Sequence, residues 1–207
     1  MLPNRSPSHA ALLLALCAIP SALLSNFLSL EWHVKVTSAI DFGGPPLPGL
    51  YFGLVLCIAV AQREGAKPVK LAITLAATIV AWLCAWTTGY QVWRYIGNLF
   101  PGGSSSDLDP YIYPVAGFVA GIVGSAITAA GIAVASAHFR RPADWARTIV
   151  IGGVAGLLLE FATGFETVLP LLLVWQPAVA ASIAYAMASA ASTSAPPAGA
   201  AEASLAT

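Results

Sequence analysis

Glu160 is the residue whose type and setting most suggest chemistry, because it stands inside the strongly apolar run GGVAGLLLEFATGFET, Gly152 to Thr167. Reading that span as Thr148 to Val168 puts Glu160 about two residues past its midpoint, within roughly 3 Å of the bilayer centre at about 1.5 Å per residue. A carboxylate at such a depth costs about 2.5 to 3.5 kcal/mol on the insertion scale, and intramembrane acids face a bundle interior or a cavity. Gly152, Gly156 and Gly164 recur at four-residue spacing with it, so the stripe is expected to turn Glu160 towards protein. No Lys or Arg shares that depth; the candidate supporting groups are neutral, namely Ser125, Thr128, Thr78 and Gln176, the last beside Pro177. Burial without a cation favours the neutral acid, which fits either a hydrogen-bonded packing residue or a proton or cation relay. Glu166, near the outer end of the same span, and Arg94, after the third, share a level. They form a candidate outer-interface pair, or else two separately hydrated charges.

Other chemistries find less support. Cys17, Cys57 and Cys84 lie on three different spans and form no paired framework. His9, His33 and His138 are not placed to face one another within the bilayer, as a haem between helices requires. Ser125 has no histidine at its depth to activate it, and no span carries a lysine for a Schiff base. Asp107 and Asp109 read as solvated loop carboxylates, since a hard cation needs six or more oxygens. The expectation is no catalytic residue, no metal and no cofactor.

The elements that must position these residues follow from composition. Of 207 residues, 58% are hydrophobic and only 9% charged, with mean hydropathy +0.79. Apolar runs fall at about His9 to Leu30, Leu47 to Gln62, Leu71 to Trp93, Tyr111 to Ala137, Thr148 to Val168 and Leu171 to Ala191. Most exceed the roughly 18 residues of a spanning helix. The fold expected is all-α: an integral membrane bundle of six transmembrane helices in one domain, residues 1–191, followed by a disordered Ala/Pro/Ser-rich tail, 192–207.

Arg5, Arg63, Lys67, Lys70, Arg140, Arg141 and Arg147 fall on one side of these spans, and only Lys35 and Arg94 on the other. Basic residues collect in the cytoplasm, so both termini are expected there, in a plasma membrane of bacterial inner-membrane type. Trp86, Tyr90, Trp93, Tyr111 and Tyr113 gather at the outer interface as an aromatic belt. The outer segment RYIGNLFPGGSSSDLDP reads as a short interfacial helix broken at PGGSSS. Equal numbers of acidic and basic residues give no basic surface for nucleic acid.

Helix association is the clearest signal. Gly117, Gly121, Ser125 and Thr128 form one stripe of the fourth span, with Gly124 beside it, and Gly152, Gly156 and Gly164 form another in the fifth. Small residues permit close approach in lipid, so these spans are expected to pack together; the same faces are candidates for a homo-oligomer or a membrane-protein partner. GLYFGLVLCIA from Gly49 and GGVAGLLLEFA from Gly152 also share Gly, Leu and Ala in register, the faint signal of a three-plus-three inverted repeat.

Two function classes follow: a small proton- or cation-linked transporter or channel centred on Glu160, and a structural or assembly membrane subunit without transport. An intramembrane enzyme is the weakest third. Beyond the lipid bilayer, the sequence identifies no ion or small-molecule substrate.

Overall fold

The computed structural model describes residues 6–36, 46–99, 105–161 and 168–193. Every regular element among them is helical: α1 Pro7–Val36, α2 Leu47–Glu64, α3 Pro68–Asn98, α4 Ser105–Ala135, α5 Pro142–Gly156 with a 3-10 turn at Leu157–Leu159, and α6 Leu169–Thr193. Six spans are long and apolar enough to cross a bilayer, which makes this a multi-pass membrane protein. Of the expected tail, only Ser192 and Thr193 belong to α6; the remainder lies outside the described residues.

The helices outrun the apolar segments that announce them. Pro68 and Pro142 open α3 and α5 near the first helical position, where their fixed φ suits a helix and their missing N–H is no loss. For α5 this moves the start to Pro142, ahead of the expected Thr148; its polar first turn holds Asp144, an acid placed where the helix dipole favours one. Instead of a separate interfacial helix, α3 runs unbroken to Asn98. Likewise α4 begins at Ser105, so Asp107 and Asp109 belong to a helix rather than a loop. Hydropathy marks what is apolar, whereas a helix continues as long as its hydrogen bonds are satisfied, and 31 residues extend about 46 Å, well past a core of about 30 Å.

Each helix packs against its sequence neighbours, and α6 packs on α1 to close the ring. α6 is the most enclosed span and α3 the least. A continuous apolar core fills the end of the bundle where α1, α3 and α5 begin, with Leu56, Ile132, Phe139, Ile183 and Met187 at its centre. The turn from α2 to α3 is three residues long and depends on Gly65, whose φ of 75° and ψ of 157° fall in a region that suits glycine alone.

α4 and α5 meet backbone to backbone. A β-carbon added at Gly121 would stand 2.2 Å from the Gly152 carbonyl oxygen, and one at Gly117 would stand 2.1 Å from that of Gly156. Gly124 serves a different contact, facing Ala85 of α3 and the Trp175 ring of α6, and Gly164 lies outside the described residues. The packing does not follow the three-plus-three echo. Gly49 and Gly53 face Thr78 on α3, so a repeat pairing α2 with α5 would turn Gly152 and Gly156 towards α6; they face α4 instead.

Candidate functional site

Glu160 follows directly on the turn that ends the α5 span. With α5 starting at Pro142, the 18 residues to Leu159 carry the chain roughly 27 Å, nearly the full thickness of a hydrocarbon core of about 30 Å. Its depth agrees with the pairing of α4 and α5: Leu159 packs on Gly117, so Glu160 stands at most a turn beyond, towards Tyr113. Tyr113 belongs to a row of aromatic rings in which Trp93 stacks on it at 6.4 Å and Tyr90 stacks on Trp93 at 6.1 Å. Glu160 thus follows the level of Gly117, on the side of the bundle that carries this aromatic row.

Its direction changes at that turn. A 3-10 turn winds about 20° further per residue than an α-helix, so Leu157–Leu159 rotate Glu160 and the residues beyond it by roughly 60°. That takes Glu160 off the line of Gly152 and Gly156, and its side chain is exposed.

Two of the neutral groups expected around Glu160 are bonded elsewhere. Gln176 joins α6 to α1: Ser21 Oγ donates to its Oε1 at 2.8 Å, and its Nε2 donates to Ser25 Oγ at 3.2 Å. Thr78 bonds back along its own helix, to Leu75 O at 2.9 Å and Thr74 O at 3.2 Å. Ser125 and Thr128 are wholly buried, and among the described residues their hydroxyls have no partner; the indole N–H of Trp175 shares that condition. Arg94 is exposed near the end of α3, and Glu166, its candidate partner, lies outside the described residues.

Two charged sites were not foreseen. The Glu64 carboxylate, 10% exposed, closes α2 and receives the Lys70 ammonium, Ser136 Oγ at 2.7 Å, the Ala137 N–H at 2.9 Å and His138 Nδ1 at 2.9 Å. It ties the α2–α3 turn to the α4–α5 connection, and the positive φ of Gly65 brings Lys70 back over it. On the neighbouring side Arg147 pairs with Asp144 at 3.0 Å and lies 4.8 Å over the Tyr185 ring, while Thr148 and Ser182 share a hydrogen bond at 2.8 Å. The signal for Glu64 was its position, an acid set between Arg63 and the basic residues Lys67 and Lys70. Its partners at Ser136 to His138 are over seventy residues away, beyond any local pattern.

Each of these sites joins one helix or connection to another. Glu64 has its oxygens occupied by four donors from two connections, Gln176 is spent on two serines, and Arg147 is held by a carboxylate, a ring and Ser182. Compared with protein-family models, curated proteins and solved structures, the chain matches none of them.

Proposed function

We propose that this protein is a structural or assembly subunit of a membrane, a packed scaffold without a catalytic role, rather than a carrier of ions or solutes. The observation that carries this reading is the apolar core at the basic end: Leu56, Ile132, Phe139, Ile183 and Met187 are each at most 1% exposed and fill the space that a path across the bundle would use. Glu160, the group on which a relay mechanism would rest, is exposed, whereas the Ser125 and Thr128 hydroxyls are buried. Arg63, Lys67, Lys70, Arg140, Arg141 and Arg147 gather at one end of the bundle, which supports cytoplasmic termini in a bacterial inner membrane. Liposomes holding the purified protein are expected to pass protons and cations no faster than empty ones. Flux that depends on Glu160, lost in Glu160→Gln, would reverse the reading.

One observation favours transport as the second reading. Ser125, Thr128 and Trp175 hold three polar groups in the interior that water or a small polar solute would satisfy. Ser125→Cys separates the two: a water-soluble, membrane-impermeant maleimide reaches the thiol in a hydrated interior and leaves it unlabelled in a packed one.

A further inference from the structure

Between α1 and α2, at the basic end of the bundle, a shallow open cleft runs down the outer wall. Its sides are Leu13 and Cys17 of α1 and Ile58 of α2, and Met187 of α6 lies at its floor. Cys17 and Ile58 are exposed on the wall that faces lipid in a bilayer. The mouth is polar. Arg63 and Gln62, in the last turn of α2, line the same cleft, Arg63 half-buried and Gln62 exposed.

Arg63, like the exposed Lys67, is not engaged among the described residues, and of the two it is Arg63 that lines the cleft. Lys70 is engaged by Glu64 and Arg147 by Asp144, whereas Arg63 has neither an ion pair nor a hydrogen bond among the described residues. Glu64, next to it in sequence, is directed to Lys70 and His138 on the other side. The basic residues nearest in sequence to Gln62 are Arg63 and Lys67. A guanidinium presents a planar fork of donors matched to phosphate oxygens, and basic pockets between membrane helices suit anionic headgroups. From Arg63 to Ile58 the cleft descends only about 7 Å along α2, the depth of the first carbons of an acyl chain below its headgroup.

We infer that this cleft binds one anionic phospholipid, its phosphate on Arg63 and the upper part of an acyl chain against Leu13, Cys17, Ile58 and Met187. The occupant is a lipid rather than free phosphate because the donors stand at the end of an apolar channel that opens to the bilayer. The inference is independent of whether the bundle transports anything.

The test uses the full chain purified from nanodiscs of equal phosphatidylglycerol and phosphatidylcholine, with retained lipid counted by native mass spectrometry. Phosphatidylglycerol is expected to be retained roughly fivefold over phosphatidylcholine, the preference that one basic residue gives. Arg63→Gln is expected to abolish the preference, while Arg140→Gln, at an exposed arginine outside the cleft, leaves it intact. Ile58→Trp, at an exposed position that tolerates bulk, fills the channel without touching Arg63 and is expected to lower retention of both lipids. An unchanged preference in Arg63→Gln, equal retention by the unaltered protein, or unaltered retention in Ile58→Trp would each overturn the inference. Displacement of the lipid by millimolar inorganic phosphate alone would do so too, by making the site one for the free anion.

Discussion

The Ser125 hydroxyl lies against the α-carbon of Gly152: a β-carbon added at Gly152 would stand 1.6 Å from Ser125 Oγ and 2.6 Å from Ser125 Cβ. A buried hydroxyl without a conventional partner is thereby seated on the face of the opposing helix, where Cα–H···O contacts recur. Gly152→Ala must push α4 and α5 apart, and overpacking of this kind costs about 1 to 3 kcal/mol. Thermal unfolding in detergent is expected to show the loss, with part of it regained in Gly152→Ala/Ser125→Gly. Without any recovery in the double variant, the contact would not be the source of the cost.

Gln176 and its two serines act as one unit across α1 and α6. Gln176→Leu leaves Ser21 and Ser25 buried without their partner, and interhelical hydrogen bonds in membranes contribute about 0.6 to 1.7 kcal/mol. Replacing every polar member by an apolar one is close to neutral, because no group is then left unsatisfied. Gln176→Leu should therefore lower the unfolding temperature, and Gln176→Leu/Ser21→Ala/Ser25→Ala should bring most of it back.

Glu64 gathers donors from both basic-end connections, so its loss is felt at each. Glu64→Gln keeps the shape but removes the charge that Lys70 and His138 meet, and hydrogen bonds to charged groups contribute about 1.5 to 3 kcal/mol. Equilibrium unfolding should record a decrease in that range; an unchanged midpoint would mean that the charge of Glu64 contributes nothing to the bundle end.

Gly65 and Gly97 both have open space where a β-carbon would go, and they differ in backbone. Gly65→Ala forces a side chain into the conformation at φ 75°, at a cost of about 1 to 3 kcal/mol. Gly97→Ala sits in the last turn of α3 with ordinary dihedrals and is expected to be neutral, or stabilising by up to about 1 kcal/mol from helix propensity. Paired melting curves of the two variants check this directly.

The charge asymmetry makes the orientation testable. A reporter active only outside the cell should work when inserted after Gly103 and stay silent after Ser192; the reverse pattern would invert the bundle.

What the sequence determined by itself was one-dimensional: where six apolar stretches match the thickness of a bilayer, and that Gly117 and Gly121 recur at the spacing of a helix face, as do Gly152 and Gly156. These hold because spanning length and helical periodicity are properties of neighbours along the chain. Tertiary structure decided the rest. Glu160 left its stripe because three residues adopt a tighter winding, which is not visible in the run of leucines itself. Gln176 found serines more than 150 residues away, and Glu64 found Ser136 and His138 across the bundle end. A buried polar group must be satisfied by whichever donor or acceptor packing brings within about 3 Å, and that proximity exists only once the ring of helices has closed.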